Sequence, residues 1–240
     1  SIDPRIAVSR GVLLILLAGL TGVGTLAAAP QAELWPRWSE HNPNSTQVVD
    51  HEPWANFLDR YLVTDHPSGV NRVRYADVSA SHARELDDYI DKLLSIEVSY
   101  LKRAEQRAFW LNMYNAHTIK LILDHYPVDS IREIDISGLF ANGPWGAKII
   151  SVEGVELTLD DIEHRILRPI YEDPLVHYAV NCASIGCPNL PPEPFTADNY
   201  QKLAEAGAES FINHPRGVNI DADPLQASSI YNWFMADFGG

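Results

Sequence analysis

The clearest pattern along the chain is a long segment that is apolar on every side. In AEQRAFWLNMYNAHTIKLILDHYP, residues 108–123 are apolar almost all round, and a helix without a polar face must lie in the interior. Pro127 predicts its end. Asn112 and Asn115 lie three positions apart on the same side. Because buried amides need hydrogen-bond partners, these two are predicted either to hold neighbouring backbone or to line a site.

Shorter segments with helical or strand patterns flank this predicted central helix. Apolar side chains recur at helical spacing, or follow a capping residue, in residues 53–63, 79–94, 159–168, 197–213 and 230–238. Residues 147–158 have the pattern of a β-hairpin that turns at Glu153–Gly154, and residues 176–181 alternate as a strand. Separate short strands beside one long helix predict an α+β fold, with the central buried helix packed with a small antiparallel sheet.

The first thirty residues have the pattern of a secretory signal peptide. Arg5 and Arg10 precede an uncharged stretch, residues 11–29, that ends in small residues. The same stretch is long enough to span a bilayer with both arginines inside, and a buried core helix is a third alternative. We therefore expect residues 1–30 to be a signal peptide or an N-terminal membrane anchor.

Composition and charge narrow the class of protein. The 240 residues include 32 acidic and 18 basic side chains, a net charge of −14. This argues against nucleic acid as a partner, because such binding requires a basic surface. The length favours one domain, so residues 31–240 are predicted to form a single globular domain. Export would place it in the oxidising periplasm or outside the cell, attached to the inner membrane if residues 11–29 remain as an anchor.

The only two cysteines, Cys182 and Cys187, lie in VHYAVNCASIGCPNL, with His177 just upstream. Three interpretations compete. The cysteines form a disulfide, which an exported protein allows. They bind zinc together with His177 and a fourth ligand, Glu163 or His164. Or one cysteine is a nucleophile and His177 its base, since a neighbouring imidazolium lowers the pKa of a thiol below its usual value of about 8.5.

Glu163 is the candidate acidic partner of His177. On a helical wheel of residues 159–168, Glu163 falls within the apolar stripe, whereas His164 points outward. A buried carboxylate is costly unless it is hydrogen-bonded for structural reasons or has a function, such as orienting a histidine. On a straight strand, His177 and Cys182 point to opposite faces. They can meet only if the chain turns where that strand ends.

Four motifs together resemble the family named domain of unknown function 547: AFWLNMYNAHTIKLIL, LTLDDIEHRILR, VHYAVNCASIGCPNL and IYNWFMADF. The resemblance covers about Trp54–Phe238, with His117 at a position where an apolar residue is expected. It implies a cysteine, histidine and acidic constellation similar to that of cysteine peptidases and transglutaminases, here Cys182, His177 and Glu163. Because these residues occur in the order Glu, His, Cys, the relation would require either a rearranged papain- or transglutaminase-like core or convergence of the catalytic geometry.

These observations predict an exported thiol-dependent hydrolase or acyltransferase. Cys182 would attack an amide or thioester carbonyl, with His177 as base and then acid and Glu163 behind it. Cys187 would be a second thiol or a redox lock. The side chains expected to support the site, some as oxyanion donors, are Cys187, Asn112, Asn115 and Asn181. No metal or cofactor is expected, and the substrate would be a peptide or a small thiol-peptide.

The alternative to this enzyme is a protein of another class. It is a non-catalytic binding or scaffold domain with a structural Cys182–Cys187 disulfide, or a zinc-binding domain.

Overall fold

The computed structural model describes residues 30–138 and 143–240. The α-helices in these ranges are α1 (Glu52–Tyr61), α2 (Ala80–Leu94), α3 (Arg103–His125), α4 (Arg168–Tyr171), α5 (Val176–Ala179), α6 (Tyr200–Ile212) and α7 (Ser229–Trp233). A π-helical segment, Asp161–Leu167, runs directly into α4. None of the helices in the described ranges is both long and apolar enough to cross a membrane. The predicted signal peptide or anchor falls, except for Pro30, outside the described residues.

The strands of the described residues pair into separate two-stranded antiparallel sheets. The pairs are β1 (Leu62–Val63) with β2 (Arg72–Val73), β3 (Ile150–Val152) with β4 (Val155–Leu157), and β5 (Val218–Asn219) with β6 (Gln226–Ala227). Helices combined with small antiparallel sheets confirm the predicted α+β class. The finer expectation of a papain- or transglutaminase-like core stays a prediction.

The predicted β-hairpin is present, with Ile150 opposite Leu157. Its two turn residues, Glu153 and Gly154, have φ angles of 50° and 73°. Tight two-residue turns that match the twist of a hairpin need positive φ at both central residues, and glycine adopts such angles without steric cost. The Glu-Gly pair in the sequence therefore placed this turn correctly.

Helix α3 is the interior helix that the sequence predicted. Sixteen of its 23 residues are buried, and it packs against α2 and the π-helical segment. It ends before Tyr126, whose backbone is extended as expected for a residue that precedes a proline. Because residues 108–119 of this helix are all buried, the polar side chains among them must find their partners inside the protein.

Residues 176–179 form helix α5, so the predicted strand over residues 176–181 is wrong. All four residues of α5 are buried, which means that the apparent alternation did not separate an inner face from an outer one. The turn at Asp173–Pro174 leads into the helix, with the backbone N–H of Leu175 donating to the Asp173 carboxylate at 2.9 Å. An Asp-Pro pair is a helix-start signal, and here it outweighs the short alternation that follows it.

The predicted helix over residues 230–238 is broken in the middle. Helix α7 ends at Trp233, and a separate 3₁₀ turn follows at Met235–Phe238. Between them, Phe234 leaves the helical conformation, with φ −116° and ψ 31°. Its ring packs against a buried histidine described below, and such tertiary contacts take the place of continuous helical hydrogen bonds.

Candidate functional site

A disulfide bond joins Cys182 and Cys187, so neither cysteine is a free thiol in this form. The bond closes the loop that follows α5, and both half-cystines are partly exposed. The structure therefore agrees with the first of the three interpretations of the sequence, in which the two cysteines form a disulfide.

The disulfide loop is also held by hydrogen bonds of its own. The Asn181 side chain donates to the carbonyl of Pro188 at 2.7 Å and accepts from the backbone N–H of Ala183 at 3.0 Å. From outside the loop, Arg216 donates to the carbonyl of Ile185 at 3.1 Å. These bonds span the same residues as the disulfide, so the loop has supports that do not depend on the S–S bond.

The buried amides of α3 hold neighbouring backbone in place. Asn115 donates to the carbonyl of Ala179 at 3.0 Å and accepts from the N–H of Asn181 at 2.9 Å. Asn112 makes the same pair of bonds with the backbone of Phe195, at 2.8 and 3.0 Å. Of the two roles predicted for Asn112 and Asn115, the structure therefore shows the first, holding neighbouring backbone, and not the lining of a site. Through Asn115, the end of α5 and the start of the disulfide loop are fixed to the interior helix.

His177 is buried between two carboxylates. Its Nε2 donates to Oδ2 of Asp237 at 2.7 Å, and its Nδ1 lies 3.9 Å from Oε1 of Glu163. The Phe234 ring stacks on the imidazole, with centroids 4.4 Å apart and planes inclined by 17°, and Phe238 lies 5.3 Å away. Helix α5 thus presents a histidine whose position and ring plane are fixed on several sides.

Glu163 projects from the π-helical segment towards His177 and is itself hydrogen-bonded. The Tyr114 hydroxyl of α3 donates to its Oε2 at 3.2 Å. Burial raises the pKa of Glu163, opposed by His177, the Tyr114 hydrogen bond and Arg168. Burial also lowers the pKa of His177, opposed by Glu163 and Asp237. Burial thus makes the charged form of each group less favourable than it is in water, and a neutral imidazole is the form that can accept a proton.

Asp237 joins His177 to a buried arginine. Arg168 donates to Oδ2 of Asp237 from Nε at 2.6 Å and to Oδ1 from Nη2 at 3.2 Å. Partial burial opposes ionisation of Asp237, but the hydrogen bonds from Arg168 and His177 prevail and lower its pKa. The result is a chain of polar groups in the order Glu163, His177, Asp237 and Arg168.

His164 lies inside the protein, so its predicted outward orientation is wrong. Its Nδ1 accepts from Nη1 of Arg168 at 3.1 Å, and its ring lies 5.7 Å from that of Phe234. The helical wheel assumed 100° per residue, but this segment is wound as a π-helix, which rotates successive side chains by less. The stretch after Pro30 also covers it, since the N–H of Glu33 donates to the His164 carbonyl at 3.0 Å.

Residues 98–212 match the model of a protein family described as "Protein of unknown function, DUF547". This stretch of the chain is similar to the DUF547 family. No curated protein and no solved structure matches the chain. The family assignment made from the four sequence motifs is thereby confirmed, over a shorter range than the motifs themselves cover.

The structure brings some of the predicted site residues together and keeps others apart. Glu163 and His177 adjoin each other, as expected. Among the described residues, neither ring nitrogen of His177 makes a hydrogen bond to the sulfur of Cys182 or Cys187; the nitrogens face carboxylates instead. The catalytic roles assigned from the sequence stay predictions.

Three residues of this site were missed by the sequence analysis: Tyr114, Arg168 and Asp237. Each lies within one of the motifs that carry the family resemblance, which was the available signal. Tyr114 and Arg168 fall inside the DUF547 match, whereas Asp237 lies beyond its end. Asp237 lies 60 residues after His177, and no rule of sequence spacing pairs residues that far apart.

The zinc interpretation has no geometric support in the ranges 30–138 and 143–240. There, no group of three or more histidine, cysteine, aspartate and glutamate side chains is arranged to hold a metal ion. Zinc binds thiolates, and the sulfurs of Cys182 and Cys187 are bonded to each other in this form.

Proposed function

We propose that this protein is an exported thiol-dependent hydrolase or acyltransferase whose nucleophile, Cys182, is stored as a disulfide with Cys187. The observation that carries the proposal is the disulfide loop beside α5. The loop continues directly from the helix that bears His177, and Asn115 and Asn181 fix it independently of the S–S bond. A loop built in this way can lose its disulfide without losing its position.

Reduction of the bond is the first step of the proposed cycle. Two equivalents of an external thiol reduce the disulfide through a mixed disulfide. The external thiols are oxidised to their own disulfide, and Cys182 and Cys187 gain the two electrons and two protons and become thiols. A disulfide that closes so short a loop, with a sequence separation of 5, contributes about 2 kcal/mol by the chain-entropy relation. This is a minor part of the ~5–15 kcal/mol that stabilises a typical domain, so the reduced protein stays folded.

The chemical step is acyl transfer to the sulfur of Cys182. His177 takes the thiol proton, and the thiolate attacks an amide or thioester carbonyl. The new C–S bond forms, the C–N or C–S bond of the substrate breaks, and the leaving amine or thiol receives the proton from His177. Water or another acceptor then attacks the acyl-enzyme carbonyl and gives its proton to His177. The acyl C–S bond breaks, the carboxylic acid or acyl-transfer product leaves, and the proton held by His177 restores the Cys182 thiol.

Glu163 supports this step by its charge. It lies 3.9 Å from Nδ1 of His177, close enough for an ionised carboxylate to stabilise the imidazolium that forms. The proposal also makes a structural demand, because no hydrogen bond joins His177 and Cys182 in the disulfide form. After reduction, the freed side chain of Cys182 must turn towards the imidazole while Asn115 and Asn181 hold the backbone of the loop. The substrate class expected from this chemistry is a peptide or a small thiol-peptide.

A second candidate function is favoured by the disulfide itself. In a non-catalytic binding or scaffold domain, the Cys182–Cys187 bond would be a permanent structural element, and the two carboxylates beside His177 would serve stability alone. The two candidates differ in the behaviour of Cys182 once the bond is broken.

The test is alkylation of the folded protein with iodoacetamide, read at each cysteine by mass spectrometry from pH 5 to 9. We expect no labelling without reductant. After reduction, Cys182 should react with an apparent pKa well below the usual value of about 8.5, and His177→Ala should remove this activation. His125→Ala, a change at an exposed histidine at the end of α3, is the control and should leave the profile unchanged.

The opposite result is equally clear. If the reduced protein keeps its circular dichroism spectrum but both cysteines react as ordinary thiols, the enzyme proposal is wrong. Loss of the folded state on reduction would assign the disulfide to structure and favour the binding or scaffold domain.

A further inference from the structure

The carboxylate that is hydrogen-bonded to His177 is Asp237, not the Glu163 that the sequence suggested. The Nε2–Oδ2 distance is 2.7 Å for Asp237, whereas Glu163 stays 3.9 Å from Nδ1. A hydrogen bond to one ring nitrogen decides which of the two nitrogens carries the proton in neutral imidazole. A carboxylate accepts only, so Nε2 must be the protonated atom and Nδ1 the free one.

Asp237 is held in place by a second partner on its other side. Arg168 makes two hydrogen bonds to it, and the arginine side chain is only 5% exposed. Arg168 also lies over the ring of Phe234 at 4.5 Å, the same ring that stacks on His177. The carboxylate and the imidazole therefore belong to one packed unit, in which rotation of either group would break contacts of the other.

We propose that Asp237 is a positioning residue that keeps His177 in the Nε2–H tautomer and thereby makes Nδ1 the atom that exchanges protons with Cys182. The assignment rests on the proposed function. The charged groups that face His177 are Glu163 from the π-helical segment, Asp237 from the C-terminal 3₁₀ turn and Arg168 from α4. With Nε2 engaged by Asp237, a proton that arrives at Nδ1 lies next to Glu163, which stabilises it.

The experiment is ¹⁵N NMR of the His177 side chain in the full, reduced chain as a function of pH. In the wild-type protein we expect a protonated Nε2 and an unprotonated Nδ1. Asp237→Asn should populate the other tautomer, because the Asn amide can donate to Nε2. It should also lower the pKa of His177 by about one unit or more, as expected for removal of an adjacent opposite charge. Asp237→Glu should restore both signals.

Glu153→Gln is the matched control variant. Glu153 is also a carboxylate that faces an arginine, Arg37, and its side chain is 17% exposed against 20% for Asp237. It should leave the tautomer and pKa of His177 unchanged, whatever it does to stability. The second readout is the alkylation rate of reduced Cys182 at pH 7. Asp237→Asn should lower this rate by about tenfold, as one pKa unit implies, and Glu153→Gln should not.

Failure of this inference and failure of the proposed function give different results. If Asp237→Asn keeps the wild-type tautomer and pKa of His177, Asp237 is not the positioning residue. If the tautomer changes while alkylation of Cys182 stays at the wild-type rate, Nδ1 is not the base, and the inference is also overturned. If wild-type Cys182 reacts as an ordinary thiol, the proposed function is wrong, and the NMR signals alone decide whether Asp237 sets the tautomer.

Discussion

At the scale of single residues, the polar side chains inside α3 show how burial determines what a side chain can do. Asn112 and Asn115 each use both ends of the amide to bind backbone groups. His117, which is only 5% exposed, donates from Nδ1 to the carbonyl of Met113 one turn earlier. None of these three is free to contact a substrate, although the sequence alone left that role open for the two asparagines.

His117→Leu should make the protein less sensitive to acid. Burial lowers the pKa of His117 to about 4 from 6.5, so the folded state binds fewer protons than the unfolded state between these values. The stability that depends on neutral His117 is fully present above pH 6.5 and is lost as the pH falls towards 4, by roughly 3 kcal/mol in total. His117→Leu has no imidazole to protonate, so it does not lose this stability as the pH falls.

Urea unfolding at pH 7, 6, 5 and 4 measures this difference. The free energy of unfolding of His117→Leu relative to wild type should increase steadily as the pH falls. His41→Leu, at an exposed histidine, should show no such trend. Parallel pH profiles for His117→Leu and wild type would contradict the expectation.

At the scale of elements, the segment that carries Glu163 and leads to Arg168 begins with a reciprocal cap. The N–H of Asp161 donates to Oγ1 of Thr158 at 2.9 Å, and the N–H of Thr158 donates to the Asp161 carboxylate at 3.0 Å. This is the capping-box arrangement that the sequence suggested, with aspartate in place of glutamate. The cap fixes where the segment starts, and the π-helical winding then determines which side chains face His177.

Thr158→Ala should lower the free energy of unfolding by about 1 kcal/mol, the usual cost of a lost N-terminal cap. Because the capped segment carries Glu163, the same change should shift the ¹⁵N signals of His177. Ser79→Ala removes the cap of α2, where the Ser79 side chain accepts from the N–H of His82. We expect a similar loss of stability there and no shift at His177. If the ¹⁵N signals of His177 shift equally in both variants, they respond to a general loss of stability and not to the segment that carries Glu163.

At the scale of the whole molecule, one arginine connects parts of the chain that lie far apart in the sequence. Arg168 donates to the carbonyl of Pro30 at 2.8 Å and binds Asp237 through two hydrogen bonds. It thus links the first described residue, the helix that follows Glu163 and the C-terminal 3₁₀ turn. It is also the only arginine or lysine that hydrogen-bonds to Asp237 among the described residues.

Arg168→Met should destabilise the folded state by about 3–5 kcal/mol, the usual range when one partner of a buried ion pair is removed. Removal of the Arg168 guanidinium leaves the carboxyl groups of Asp237 and Glu163 near each other without this positive charge. Lys92→Met is the control, because the Lys92–Asp50 pair is more than half exposed on both sides and should contribute at most about 1 kcal/mol. Guanidinium chloride unfolding of both variants makes the comparison, and similar losses would show that Arg168 has no special role.

Local rules explain the elements that could be predicted from the sequence. The interior position of α3 follows from a run without a polar face, and the hairpin turn follows from the Glu153–Gly154 pair. The helix over residues 53–63 was predicted from apolar spacing and is present as α1, with its apolar stripe buried. In each case the physical cause lies within about ten to twenty neighbouring residues, so a single sequence contains the necessary information.

The candidate site around His177 is formed by contacts between residues far apart in the sequence, and local rules do not predict such contacts. Only the tertiary structure pairs His177 with Asp237 across 60 residues and turns His164 inward through π-helical winding. It also makes residues 176–179 a helix and joins Cys182 to Cys187, a pairing that the sequence left open among three alternatives. The sequence by itself determined which apolar segments must be buried and which residue types could carry chemistry. Their partners were decided by chain packing, because a hydrogen bond between distant residues exists only once the fold has brought them together.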